Sequence, residues 1–377
     1  MADRTHTIPS LDGLRAVAIL LVLLEHGLVH ADSSVQHGLV RWFSSGRAGD
    51  GVQIFFVISG FLITTLLLRE EEKFKRISLR NFFVRRAFRI LPPLYVYLII
   101  LSVIAAVRHL ELPQSTLLSC FLLFRDYSTA PAFWATDNIW SVSVEEHFYL
   151  LWPLLLVALL RVFGSKRGRT AAALVAIALA AASPLMRILE KLYGNPLHSH
   201  RINFLLHTRL DGLMIGCLLA LTIGTPLFER IYAAAARFWW LCPVYLLLLQ
   251  GHLEARFGVY YLFLVGLTVE SLAIGLFLVW AVRNPLSGVG RLLNSKLVAY
   301  MGVLSYSLYI WQMFFIVSPD PTLTGGFPYS IGGLVVAALM SYYLVEQPSL
   351  RLRDRFLRKP GESKSVGKLI EPTTAAQ

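Results

Sequence analysis

The stretch Leu11-Asp12-Gly13-Leu14-Arg15-Ala16-Val17-Ala18-Ile19-Leu20-Leu21-Val22-Leu23-Leu24-Glu25-His26-Gly27-Leu28-Val29-His30-Ala31 decides the class of the chain. It is long enough to cross a hydrocarbon core of roughly 30 Å, which needs about 20 apolar residues. Yet it carries Asp12, Arg15, Glu25 and His26, groups that cost free energy in a bilayer and therefore point to function. Arg15 and His26 are eleven residues apart, within about 20° of three full helical turns, so they share a face at roughly 16 Å separation. Val29-His30-Ala31 also loosely fits a signal-peptide cleavage site, but Glu25 and His26 interrupt the apolar stretch that a signal peptide needs.

Similar runs follow along the chain, at about 50–68, 87–107, 146–163, 170–186, 208–223, 238–250, 259–282, 297–317 and 328–345. The seventh of the ten is short and contains Pro243, so it is the weakest. The composition agrees: 56% of the 377 residues are hydrophobic and 15% charged, against about 45–50% and about 25% in soluble domains. The expected fold is an all-α polytopic membrane protein of about ten transmembrane helices. Its membrane domain covers 1–350, and a basic, disordered tail covers 351–377.

A net charge of +12 could signal nucleic acid, but its distribution argues otherwise. With the N-terminus in the cytoplasm, 24 Lys and Arg fall in inside segments, 8 in outside segments and 3 within span ends. That bias follows the positive-inside rule and places both termini in the cytoplasm. No nucleic-acid partner is expected. Cys120, Cys217 and Cys242 show no metal spacing, and no metal is expected.

Several polar clusters flank the spans. Arg86 and Arg89 are helical neighbours at a membrane surface. A guanidinium pair suits phosphate groups, and a plain anchor to lipid headgroups is the simpler reading. The run Trp140-Ser141-Val142-Ser143-Val144-Glu145-Glu146-His147-Phe148-Tyr149 reads as a helix start at the opposite surface, with Ser143 as cap. It can equally face a hydroxylated substrate, with Trp140 and Tyr149 as stacking surfaces. Arg209 and Asp211 open the sixth span on that side. Glu270 lies mid-span in the eighth run as a candidate partner for a buried cation. Leu11-Asp12-Gly13-Leu14 recurs as Leu210-Asp211-Gly212-Leu213, a faint hint of inverted repeats that shared helix-start chemistry explains equally well.

Seven segments in order carry a resemblance. They are Ser10 to Arg15 with His26; Gly51 to Ile63; Arg85 to Pro92; Trp140 to Tyr149; Thr208 to Gly212; Leu304 to Trp311; and Glu346-Gln347-Pro348. Together they resemble the acyltransferase 3 family of integral membrane acyltransferases. The resemblance implies transfer of an acyl group, usually acetyl from acetyl-CoA, to a hydroxyl of a carbohydrate or glycoconjugate acceptor. Acyl-CoA is then a co-substrate, and no permanently bound cofactor is implied. The family's R-x10-H pair falls on Arg15 and His26, its RxxR pair on Arg86 and Arg89, and its W-S-x-x-x-E segment on Trp140, Ser141 and Glu145.

This sequence departs from the pattern at His147, where glutamine is more usual, at Gln312, where histidine is common, and at Gln347, where a basic residue is common. Nothing after Glu346 is long enough for the hydrolase-like domain fused to some relatives, so a standalone membrane enzyme is expected, in a bacterial inner membrane. The expected mechanism puts Arg15, Arg86 and Arg89 on the donor phosphates. His26 acts as general base, with Glu145 orienting it or the acceptor, and Trp140, Ser141, Arg209 and Asp211 lie on the acceptor side. The rival classes are a proton-coupled transporter or flippase of an envelope intermediate, and a non-catalytic subunit of a polysaccharide assembly complex.

Overall fold

The computed structural model describes residues 8–29, 47–194, 202–326 and 328–357, and among them the regular structure is all helical. The principal helices are α1 (Leu11–Val29), α2 (Arg47–Phe74), α3 (Leu79–Val107), α4 (Ile139–Tyr193), α5 (Leu210–Thr222) and α6 (Pro226–Ala235). They continue with α7 (Leu267–Arg283), α8 (Lys296–Ile316), α9 (Tyr329–Met340) and α10 (Gln347–Leu357).

Among the described residues, six helical stretches are long and apolar enough to cross a membrane, seven if the bent pair α5–α6 is one span. The protein is thus a multi-pass membrane protein. Outward faces are apolar as lipid requires: Ile99, Val103 and Val107 on α3, and Leu150 and Leu154 on α4, are exposed at four-residue spacing. α1 has nineteen residues, but Asp12, Arg15 and Glu25 make it more charged than the apolar stretches of the long helices.

α4 has 55 residues, about 80 Å if straight, far more than a bilayer needs. It is a hairpin. Gly164 takes φ 74°, ψ 169°, a left-handed conformation that an L side chain resists. Beyond it a Cβ on Gly168 would collide with the backbone of Leu159 and Leu160, residues that a straight helix would hold about 12 Å away. The two expected runs 146–163 and 170–186 are the limbs of this hairpin, but the first limb starts earlier than expected, at Ile139. Asn138 occupies the N-cap, and Ser143 Oγ instead donates to the Ile139 carbonyl at 3.1 Å.

The expected seventh span is broken. Leu241–Val244 is one helical turn, Tyr245–Leu249 a π turn and Gln250–Phe257 a short helix, and the segment is not among the long apolar helices. The stretch before it is α6, bent 116° from α5, with no buried residue. Arg283 at the end of α7 clamps it with two bonds of 2.7 Å to Glu229. The expected tail is also revised, because α10 carries the chain as helix through residue 357, past the boundary at 350. Residues 358–377, the segment 30–46 with Arg41, the N-terminal Arg4, and Arg201 lie outside the described residues.

The core is built on α1, α2, α5 and α8: α2 packs on α5, and α1 on both α8 and α2. Small residues permit this closeness. A Cβ on Gly60 would strike the Leu213 carbonyl, and one on Gly216 the Val57 carbonyl, so α2 and α5 cross backbone to backbone.

Bonds between helix ends sort the loops into two groups. Ser10 N donates to Asn294 Oδ1 (2.8 Å), Arg85 reaches Glu70 (3.1 Å), and Arg169 reaches Glu71 (2.6 Å) and Glu72 (2.8 Å). The first bond joins the starts of α1 and α8, and the others join the end of α2, the start of α3 and the α4 turn; Arg15 near the start of α1 and Arg86 and Arg89 near the start of α3 line one cavity, which brings the two sets to one end. At the other end, Arg108 after α3 donates to Thr322 at 2.7 Å, after α8.

Candidate functional site

Two cavities lie between the central helices, and they share the walls Val52 and Tyr309. The first, of about 90 Å³, is lined by Arg15 from α1, Ser59 from α2, Arg86 and Arg89 from α3, and Ser141, Glu145 and Tyr149 from α4. α3 presents Arg86 and Arg89 because they are one turn apart. Arg86 lies against two rings, its guanidinium carbon 5.0 Å from the centroid of Tyr149 and 5.9 Å from that of Phe82. Arg15 is paired with Asp12 at 3.0 Å. Glu145 accepts from Ser59 Oγ at 2.7 Å and from the Tyr149 hydroxyl at 3.0 Å. Three arginines from two helices thus face one small space, an arrangement suited to phosphate oxygens.

The second cavity, of about 400 Å³, is lined by Glu25 and His26 from α1, Arg125, Asp137, Asn138, Trp140, Phe204, Arg209 and Met313. Trp140 and Phe204 lie with ring centroids 4.6 Å apart, and the Arg209 guanidinium sits 5.5 Å from the Trp140 ring. Arg209 also donates to Gln53 Oε1 at 3.0 Å and to the Asn203 carbonyl at 2.7 Å. An aromatic surface framed by amide and charged groups suits a sugar ring and its hydroxyls.

Tyr309 stands between the two spaces. Its hydroxyl lies 2.6 Å from Ser141 Oγ and donates to the Asn138 carbonyl at 3.1 Å.

The expected site residues therefore divide. Arg15, Arg86 and Arg89 come together as expected, and Glu145 joins them. Glu145 and His26 open on different cavities, so of the two tasks expected of Glu145 the geometry does not support orienting the imidazole. His26 Nδ1 instead lies 3.0 Å from Oε1 of Gln312 on α8. Trp140 and Arg209 reach the His26 cavity, whereas Ser141 lines the Arg86 cavity. Asp211 lines neither. It is buried against Arg187 (2.9 Å) and Thr268 (2.8 Å), and Arg187 also bonds the Thr208 and Phe263 carbonyls, both at 2.8 Å. Asp211 is a packing partner, outside the lining of either cavity.

His147 pairs with buried Asp126 at 3.1 Å. Nearby, burial pushes the Tyr127 phenol up to about 12. The mid-span carboxylate Glu270 accepts from the Gln250 amide at 3.4 Å, and the same amide group donates to Asp50 at 2.8 Å. An amide bridging two carboxylates is its hydrogen-bond partner, and the expected buried cation is Arg209, whose charge also acts on Glu270. Ser59, Tyr309 and Gln312 join these clusters without any local signal of it in the sequence. All three fall in or beside the segments that carry the resemblance, but their partners lie 86 or more residues away.

The fold and the paired cavities define a multi-pass membrane protein with a polyanion-suited pocket beside a histidine-bearing one. A family model described as an acyltransferase domain matches residues 8–346, and the chain belongs to that family, acyltransferase 3. It is similar to the peptidoglycan O-acetyltransferase OatA of Listeria monocytogenes, 26% identical over 364 residues, which cover 90% of this chain and 55% of that protein. It is also similar to YrhL of Bacillus subtilis, 28% identical over 370 residues, 90% of this chain and 54% of that one. YrhL bears the same activity in its name, provisionally. The chain spans about half the length of the curated relatives it matches. No solved structure matches it.

Proposed function

We propose that the protein is an O-acetyltransferase of a bacterial inner membrane. It moves an acetyl group from cytoplasmic acetyl-CoA to a hydroxyl of a cell-envelope glycan of the peptidoglycan class. The observation that carries this reading is the pair of adjoining cavities, one lined by Arg15, Arg86 and Arg89 and the other by His26, Trp140 and Arg209. The arginines hold donor phosphates at the end of the bundle where basic loops gather, the end that the positive-inside rule assigns to the cytoplasm. The thioester reaches past Val52 and Tyr309 toward His26.

There the imidazole takes the proton of the acceptor hydroxyl as its oxygen attacks the thioester carbonyl. The C–S bond breaks, and the imidazolium returns its proton to the departing sulfur, giving the ester and CoA thiol. An unperturbed imidazole titrates near pH 6.5, suited to such work at neutral pH. Glu145 works on the donor side, bonded to Ser59 and Tyr149 around the arginines.

Family membership disfavours the transporter reading. The test is direct: purified protein in liposomes with labelled acetyl-CoA and a glycan fragment should release CoA and label the glycan in equal amounts. CoA release without an acetylated acceptor, or no release at all, would overturn the proposal.

A further inference from the structure

The contact between His26 and Gln312 spans 286 positions and joins the first and last of the four core helices. Gln312 is fully buried, and its Nε2 has no hydrogen-bond partner among the described residues. An apolar side chain there would avoid that unsatisfied donor, so packing alone does not account for an amide. What the amide does achieve is the bond from its Oε1 to His26. An amide oxygen can only accept, so the proton of that bond sits on His26 Nδ1.

We propose that Gln312 is a positioning residue that holds His26 in the Nδ1–H tautomer and fixes its ring, so that Nε2 carries the lone pair that takes the acceptor's proton. This rests on the reading of His26 as general base. A carboxylate commonly orients a catalytic histidine through the nitrogen remote from the chemistry. Here a neutral amide fills that place. Glu145, the carboxylate that the sequence suggested for the task, opens on the other cavity. The charged groups that line the His26 cavity are Glu25, Arg125, Asp137 and Arg209, so an added carboxylate at position 312 would be felt directly by the imidazole.

The experiment compares the full-length wild type, Gln312→Met and Gln312→Glu in membranes at matched protein levels, reading kcat, donor KM and the pH profile. Gln312→Met keeps the length without an acceptor atom. Its kcat should fall at least about tenfold, part of the roughly 10²–10⁴ that general-base catalysis supplies, with donor KM unchanged. Gln312→Glu restores an acceptor oxygen and adds a charge that favours imidazolium. It should recover kcat at high pH and move the acid-side fall of activity up by about one unit or more.

Because a carboxylate can only accept, recovery by Glu also shows that the oxygen end of the amide faces the histidine. Wild-type kcat in Gln312→Met, or an unshifted profile in Gln312→Glu, overturns the proposal. If Gln312→Met does not accumulate, the Gln312→Glu profile alone decides. Activity surviving in His26→Ala is a separate result, which removes the general-base reading itself.

Discussion

In the proposed reaction His26 and the arginines have separate tasks, and their substitutions should fail in different ways. His26→Ala leaves α1 an unbroken helix with one ionisable group fewer, so the protein should insert at normal levels. Transfer should drop by about 10² or more, the scale of general-base catalysis. Membrane assays at matched levels check this, and activity within tenfold of wild type would rule out that role. Arg86→Ala and Arg89→Ala should act on binding. A charge-assisted bond is worth about 1.5–3 kcal/mol, so each should raise the KM for acetyl-CoA about tenfold while kcat changes less. A lowered kcat at unchanged KM would move these arginines to the chemistry. At this scale the sequence was legible where spacing is local: Arg86 and Arg89 one turn apart, Arg15 and His26 on one face. It was silent where the partner is distant. No local pattern could tell that α8 delivers an amide to His26, or that Glu145 bonds Ser59 on α2.

Helices were legible wherever the apolar run is what lipid or core demands. The limbs of α4 and the gap between them could be read because Gly164 and the basic cluster Lys166, Arg167 and Arg169 interrupt two such runs. The start of α4 was misplaced by seven residues, because Ser141 and Ser143 look like loop or cap. Both hydroxyls are buried in the helix and donate to carbonyls a turn earlier, which only tertiary packing decides. α6 was hidden for the opposite reason: its fate depends on Arg283, 54 positions away.

A buried ion pair ties the second limb of α4 to α5, and it makes a prediction about these elements. Arg187 and Asp211 are both fully buried. Arg187→Met leaves the buried Asp211 carboxylate without its ion-pair partner, held only by neutral donors such as Thr268 Oγ1 and Gly212 N, and breaking a buried pair costs about 3–5 kcal/mol. The detergent-solubilised variant should show a clearly lowered Tm. Adding Asp211→Leu should return much of the loss, because removing both charges can be nearly neutral. If the double variant is no more stable than the single one, the pair is not an isolated unit and its charges serve other partners.

The whole molecule is polar end to end, and sidedness is the property on which the proposed reaction depends. Helix-end bonds, with the cavity that Arg15 shares with Arg86 and Arg89, place the starts of α1, α3 and α8, the end of α2 and the Gly164 turn together. The basic loops therefore lie at one end of one body, as the positive-inside rule demands. Arg86 and Arg89 sit toward that end and His26 toward the other, roughly 16 Å beyond Arg15 along α1, about half of a hydrocarbon core of roughly 30 Å. A donor confined to the cytoplasm must therefore project its thioester into the bundle, past Val52 and Tyr309, to meet an acceptor arriving from outside. Two engineered cysteines test the orientation: Glu111→Cys, exposed beyond α3, and Lys166→Cys, exposed at the α4 turn. The three native cysteines are buried and should stay silent. In right-side-out vesicles an impermeant thiol reagent should label position 111 and spare position 166, and inverted vesicles should reverse the pattern. Acetyl-CoA added outside should then support transfer in inverted vesicles and fail in right-side-out ones. Equal use of external acetyl-CoA by both preparations would show that the donor reaches the His26 end directly. The Arg86 cavity would then lose its part in the reaction, although the fold that builds it would stand.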